Sequence, residues 1–128
     1  MRKEKYNPTD SELEILQILW DMGEARVKEV HEQLNSSKNV GYTTVLKIMQ
    51  IMHDKDILER RIDGKSHIYK ARLDREEVEE NVMDKVMRSL YKGSRFNLVM
   101  SALGNYNASE KELMQIKDLI NKMEKKEE

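Results

Sequence analysis

The chain has 128 residues, of which 38% are hydrophobic and 37% are charged, and its formal net charge is −1. This length suits one ordinary domain or two small ones, and the low apolar content favours two small ones. The sequence contains no Cys, which excludes disulfides and thiolate metal sites and is typical of a reducing cytoplasm. No apolar run reaches about 18 residues, so we expect an unexported, cytoplasmic protein without membrane insertion.

Three helices are predicted in the first part of the chain. The first begins at Thr9, which has Glu12 three residues later in the spacing of a capping box, and it ends at Gly23. The second covers residues 27–34 and the third covers residues 42–55, because apolar side chains recur there at helical spacing. Each helix has one apolar face, so the three can share a core.

A basic β-hairpin is predicted after the third helix. We place Asp63 and Gly64 at the two central positions of a type I′ turn, which pairs Leu58 with Tyr69 at the far end. Polarity rises from that apolar end toward the turn, so the outer half of the hairpin should project into solvent. Residues 38–72 carry 8 basic against 4 acidic side chains, a difference of +4, and such a local excess attracts phosphate.

Three more helices are predicted in the rest of the chain. They cover residues 74–91, 94–103 and 109–123, and the last begins at Ser109 in a second capping-box spacing. The charged tail, residues 124–128, is expected to fray.

The apolar faces of these last helices are too broad for three short helices to bury among themselves. Pairing two copies of the chain would cover them, so we predict a homodimer. The domains are then a DNA-binding domain over residues 1–72 and a helical dimerisation domain over residues 73–128. The residues expected at the dimer interface are Val78, Val82, Val86, Leu90, Phe96, Leu98, Val99, Leu103, Leu113, Ile116 and Ile120.

Three helices followed by a basic hairpin predict a winged helix-turn-helix, so the fold class is mainly α with a small β-hairpin. In that arrangement the third helix enters the major groove of double-stranded DNA, and its first residues reach the base edges. The residues predicted for this recognition helix are Gly41, Tyr42, Thr43, Thr44 and Lys47. Those predicted for the wing, against phosphates or the minor groove, are Arg60, Arg61, Lys65, Ser66 and His67.

Less specific interpretations stay open for several of these residues. Tyr42 could pack inside the protein while the threonines merely start a helix, and Arg60 and Arg61 could lie on a solvated strand face. The three histidines, His31, His53 and His67, have no metal-ligand spacing, and no phosphate loop or nucleophile motif is present. We therefore expect no enzyme, cofactor or metal site, and the rival function is a winged-helix module that binds protein instead of DNA.

Four segments resemble the penicillinase-repressor family of the BlaI/MecI type. They are TDSELEILQILW (Thr9–Trp20), YTTVLKIMQIM (Tyr42–Met52), ILERRIDGKSHIYKA (Ile57–Ala71) and SLYKGSRFNLVMSAL (Ser89–Leu103). Together they span nearly the whole chain. The resemblance implies a homodimeric winged-helix repressor on palindromic operators, often upstream of β-lactamase or related resistance genes.

The resemblance also implies a route of release. Such repressors are inactivated when a membrane sensor protease, triggered by β-lactam, leads to a cut in the dimerisation region. The matching position here lies between Ser101 and Ala102, where the best-known members have Asn-Phe. A copper-responsive branch of the family senses metal through cysteines, and the absence of Cys excludes that mechanism here.

Overall fold

The computed structural model describes residues 6–126, and within that range it is mainly helical with one antiparallel hairpin, as predicted. None of the described helices is both long and apolar enough to cross a membrane. The elements in chain order are α1 (Asp10–Met22), α2 (Val27–Leu34), α3 (Tyr42–Asp54), β1 (Leu58–Asp63), β2 (Ser66–Ala71), α4 (Arg75–Leu90), α5 (Arg95–Gly104) and α6 (Glu110–Lys126).

The predicted start and end of α1 are confirmed by local hydrogen bonds. The Thr9 hydroxyl accepts from the Glu12 amide at 3.1 Å, and the Glu12 carboxylate accepts from the Thr9 amide at 3.0 Å. This reciprocal capping box satisfies amide groups that the first helical turn leaves unpaired. At the other end Gly23 has a φ of 86°, a left-handed conformation that glycine adopts at little cost, and its amide donates to the Leu19 carbonyl at 2.8 Å.

One hydrophobic core joins α1, α2, α3 and the inner end of the hairpin. Its side chains come from the apolar faces that the helical spacing predicts, so the opposite faces remain in solvent. The buried members are Ile15, Leu16, Leu19, Ala25, Val27, Val30, Leu34, Val45, Met49, Met52, Ile57, Leu58 and Tyr69.

The hairpin register differs from the prediction by one residue at the turn. Asp63 pairs with Ser66, so Gly64 and Lys65 are the central residues, and Tyr69 faces Arg60 instead of Leu58. Gly64 has a φ of 64° and Lys65 has no positive φ, which is the pattern of a type II′ turn rather than type I′. The glycine therefore takes the first central position, where positive φ is required. The predicted apolar anchor is still found, because Leu58 and Tyr69 are each only 1% exposed.

The chain divides into two compact units, and the division falls inside α4 between Val86 and Met87. The first turns of α4 belong to the winged unit, because Val78 is completely buried there and the Asn81 side chain donates to the Tyr6 carbonyl at 3.3 Å. Val78 was expected at a dimer interface. Its burial within one chain removes it from any surface that a second copy could contact. The functional division after residue 72 stays a prediction.

The second unit has helices that bury none of their described side chains. α5 begins at Ser94, whose hydroxyl accepts from the Asn97 amide, and α6 begins at the predicted capping box of Ser109 and Glu112. α6 continues through Lys126, so the expected fraying from Glu124 is not found within the described residues. Residues 127 and 128 of the predicted tail lie outside those residues.

Candidate nucleic-acid interface

The first turn of α3 presents a polar surface because the apolar residues of this helix face the core. Val45 and Met49 are completely buried, whereas Thr43, Thr44 and Lys47 are exposed. Gly41 is the N-cap, and a Cβ added to it would meet nothing closer than the Thr44 hydroxyl at 4.0 Å. The protein's own packing therefore leaves space for a side chain at Gly41. Because glycine has no side chain, an external surface can approach the start of α3 closely.

Tyr42 is partly packed against the protein and partly exposed to solvent. Its ring meets the His31 ring edge-to-face, with 5.8 Å between centroids, yet 46% of the residue is exposed. His31 Nε2 lies 2.9 Å from the Val40 carbonyl oxygen. That oxygen can only accept, so Nε2 carries the proton and donates. Through this bond α2 fixes the backbone just before the start of α3.

A groove of about 400 Å³ connects the start of α3 with the wing. It brings together Tyr42 from the predicted recognition helix and three of the predicted wing residues. Its described lining is Arg26, Val27, Lys28, Tyr42, Leu46, Lys65, Ser66, His67 and Tyr69.

The groove is positively charged. Arg26, Lys28 and Lys65 line it, and none of its described lining residues carries a carboxylate. Lys28, Lys47 and Lys65 form no ion pair with any other residue within 6–126, so their charges remain available to an external anion. A cationic groove beside a helix end of this kind suits the phosphate backbone of a nucleic acid.

The two wing arginines lie on opposite faces of the hairpin. Arg60 shares a face with Tyr69, whose hydroxyl accepts from Arg60 Nη1 at 3.3 Å and whose ring centroid lies 6.0 Å from the guanidinium carbon. Arg61 donates to the Glu24 carboxylate at 2.8 Å. Both line a smaller groove with Glu24, Glu59 and Lys70, where the charges are mixed. Neither arginine lines the cationic groove, although Arg60 contacts Tyr69, which does.

Sequence reasoning missed Arg26, which reaches the wing tip from the N-cap of α2. Its guanidinium pairs with the Asp63 carboxylate, and its Nε donates to the Ser66 hydroxyl at 3.1 Å. These partners are 37 and 40 residues away in sequence. No local pattern signals such a contact.

A buried carboxylate supports the other end of α3. Burial by itself would raise the pKa of Glu12, but hydrogen bonds from the Thr9 amide, the Lys55 ammonium and the Tyr6 hydroxyl more than offset this and lower the pKa below its ordinary value. The ammonium lies 3.1 Å from the carboxylate. Because Lys55 directly follows α3 and Glu12 belongs to α1, the ion pair holds the end of α3 against α1.

The described residues include no group of three or more His, Asp or Glu side chains that could hold a metal ion.

The predicted cleavage position, Ser101–Ala102, lies inside α5. The Ser101 carbonyl accepts from the Asn105 amide at 3.2 Å and the Asn105 side chain at 3.0 Å, and the Ser101 hydroxyl bonds Tyr91 at 3.0 Å.

Two solved structures resemble this fold. The solution structure of the DNA-binding domain of the repressor BlaI covers 59% of this chain and 93% of its own, with a TM-score of 0.52 and 20% identity. A MarR family protein from Bacillus stearothermophilus covers 94% of this chain and 76% of its own, with a TM-score of 0.54 and 18% identity. These likenesses establish the winged-helix fold.

Sequence comparison assigns the family. The penicillinase repressor from Staphylococcus aureus is 20% identical over 91% of this chain and 92% of its own length, and the methicillin resistance regulatory protein MecI from S. aureus strain N315 is 20% identical over 95% and 99%. The transcriptional regulator BlaI from Mycobacterium tuberculosis is 30% identical over 67% of this chain and 64% of its own. The family model of the penicillinase repressors matches residues 8–122. This chain therefore belongs to the penicillinase repressor family, a family of transcriptional repressors and not of enzymes.

Proposed function

We propose that this protein is a transcriptional repressor that binds palindromic DNA operators in the cytoplasm as a homodimer. The observation that carries the proposal is the cationic groove, in which the start of α3 and the wing tip converge. Tyr42, Thr43, Thr44 and Lys47 would read the major groove, and Lys65 and His67 would contact the backbone or the minor groove beside it.

The charge pattern supports DNA over a protein partner. Lys47 and Lys65 are exposed and form no ion pair with residues in the described range. An interface that neutralises phosphates with such side chains releases counterions, so its affinity must fall steeply as salt increases. A protein-binding module would show a much flatter salt response.

The test is binding to duplex DNA over a salt series, with wild type, Lys47→Ala, Lys65→Ala and the control Lys117→Ala. Each of the first two should weaken binding and reduce the slope of log affinity against log salt by about 1, whereas the control, an exposed lysine of α6, should match wild type. A flat salt response in wild type would favour the protein-binding function, whereas equal steep slopes in all four proteins would remove Lys47 and Lys65 from the DNA interface.

Dimerisation is proposed from the apolar surface of the second unit. Two recognition helices about 34 Å apart, one turn of the duplex, would read two half-sites, and a monomer would lose one set of contacts. Leu90, Phe96 and Leu113 are among the large apolar side chains left exposed there. A second copy that covers such side chains would couple operator affinity to the dimer without altering the DNA-contacting residues.

Release is proposed to follow from loss of that dimer, through a cut at Ser101–Ala102 set off by a membrane sensor protease. The cut would remove residues 102–128, including all of α6. Mass spectrometry after β-lactam exposure should then find a fragment that ends at Ser101. Derepression with the chain intact would contradict the cut.

The regulated genes are proposed to include β-lactamase or other resistance and stress genes. Footprinting on the DNA upstream of the protein's own gene tests this, because autoregulation would reveal the operator and the operon together. Protection of two half-sites there is the expected result. An unprotected upstream region would remove autoregulation from the proposal.

A further inference from the structure

The short link between α1 and α2 holds the wing through its backbone. The Ala25 amide donates to the Tyr69 carbonyl at 2.9 Å, and the Tyr69 amide donates to the Ala25 carbonyl at 2.8 Å. Ala25 thus pairs with β2 as a one-residue antiparallel bridge. A two-stranded hairpin is marginal in water without a further support, and this bridge supplies one at the inner end of the wing.

The residues on both sides of Ala25 hold the outer end of the wing through their side chains. Glu24 pairs with Arg61, and Arg26 pairs with Asp63 and Ser66. Side chains alternate along a strand, so residues 61, 63 and 66 share one face of the hairpin. We call residues 24–26 the wing clamp.

The clamp acts on one face of the hairpin, from which Arg26 and Ser66 also line the cationic groove, and the second face supplies other lining residues of the wing. His67 lies on that second face with Tyr69, and Lys65 lies at the turn. The clamp also pairs the Asp63 carboxylate with Arg26, so this negative charge at the wing tip is neutralised beside the groove.

The Arg26–Asp63 ion pair of the clamp contributes little to global stability. The Arg26 and Asp63 side chains are 40% and 49% exposed, and ion pairs in such positions are screened by water. Its main effect is therefore on the position of the wing and not on whether the domain folds.

We infer that Arg26 is a positioning residue for DNA binding, which holds the wing tip so that Lys65 and His67 face the same groove as Tyr42. The inference rests on the proposed function. Arg26 lies outside both the recognition helix and the wing, and it would act on DNA binding through its contacts with Asp63 and Ser66.

The first test needs no DNA. Amide ¹⁵N relaxation of the full chain should show the order parameters at Gly64 and Lys65 falling from about 0.85 toward about 0.6 in Arg26→Gln. Lys28→Gln is the matched control, because it removes the same charge from the same groove but makes no ion pair with any residue from 6 to 126. Unchanged order parameters in Arg26→Gln would overturn the inference, whether or not the protein binds DNA.

The second test uses the sign of an affinity change. Asp63→Ala removes a negative charge near the DNA, so electrostatics alone predicts tighter binding. The clamp predicts weaker binding, by about threefold to tenfold, because the wing loses its fixed position and each tenfold is about 1.4 kcal/mol. Arg26→Gln should weaken binding more than Lys28→Gln. Tighter binding by Asp63→Ala, or equal losses in Arg26→Gln and Lys28→Gln, would show that Arg26 acts only as a charge.

If neither the wild type nor any variant bound duplex DNA, the proposed function would fail. The relaxation result would still decide whether Arg26 holds the wing tip in place.

Thermal melting accompanies both tests. We expect the melting curves of Arg26→Gln and Lys28→Gln to coincide, since both residues are on the surface. A large loss of stability confined to Arg26→Gln would assign the residue to folding and overturn its positioning role.

Discussion

The two units of this chain bury their apolar residues to very different extents. The winged unit has a continuous core in which Leu16, Val45 and Met49 are completely buried, whereas α5 and α6 bury none of their described side chains. Phe96 is 71% exposed and Ile120 is 47% exposed. So many large apolar side chains left exposed on two helices are typical of a surface that contacts another molecule. The first unit is therefore stable by its own contacts, whereas we expect the second to need a further surface.

We expect the greatest loss of operator binding when the exposed apolar surface of the second unit is disrupted. Leu113→Asp combined with Ile120→Asp places two charges on the apolar face of α6. We expect a monomer, and a loss of operator affinity of about 10²- to 10⁴-fold because the second half-site no longer adds to the first. Sedimentation and operator binding measure the two effects. Gln115→Asp, on an exposed polar position of the same helix, is the control and should behave as wild type. A dimeric double variant would contradict the assignment of this face.

The two units should also differ in how the effect of a core mutation on stability depends on protein concentration. Leu16→Ala should lower the free energy of unfolding by about 2–5 kcal/mol at every concentration, because it creates a cavity in a closed core. Leu103→Ala should lower the melting temperature most where the dimer is most populated, since association stabilises by mass action. Thermal melts at two widely separated concentrations check both. Equal shifts for Leu103→Ala at both concentrations would argue against an intermolecular contact.

A fragment series tests where the self-sufficient unit ends. A fragment of residues 1–86 retains Val78, whereas a fragment of residues 1–72 loses it together with the Leu73 carbonyl that accepts from the Trp20 indole at 2.9 Å. We expect the shorter fragment to fold with lower stability, by about 1.5–3 kcal/mol for the lost burial of Val78. Denaturant titration measures the difference. Equal stabilities would place the boundary at residue 72 after all. Both fragments should bind the operator far more weakly than the full chain.

A smaller change is expected in how the stability of the winged unit depends on pH. The lowered pKa of Glu12 means that the folded state favours the ionised form, so this group stabilises the protein at pH values above its unfolded pKa. The contribution is lost as pH falls through the lowered pKa of the folded state. Glu12→Gln, which cannot ionise, should be less stable near neutral pH and should lose less stability on acidification. Parallel pH profiles for the variant and wild type would contradict the role of Glu12.

Much of the fold could be predicted because its signals are local. The capping boxes at Thr9 and Ser109 and the apolar spacing of α1 to α3 act within a few residues, and all were confirmed. The hairpin register was wrong because it depends on which central position Gly64 takes in the turn. Two features come from tertiary contacts that no local pattern encodes. They are the burial of Val78 in the first unit and the reach of Arg26 to the wing tip.

The candidate site was also predictable where its signals are local. Tyr42, Lys65, Ser66 and His67 were predicted from their place at a helix start and a turn, and the structure brings them around one groove. The sequence suggested that Arg61 would act with them. Its partner is Glu24, which becomes a neighbour only because Ala25 pairs with Tyr69.

The selected operator sequence and the number of bound copies together test whether two copies of the chain read an inverted repeat. A duplex selected by the full chain from a random-sequence pool can be labelled, and the mass of its complex with the protein can be determined by sedimentation equilibrium. We predict an inverted repeat with half-sites about one helical turn apart, bound by two copies of the 15.2 kDa chain. A single copy on a single half-site, or no enriched sequence, would contradict it.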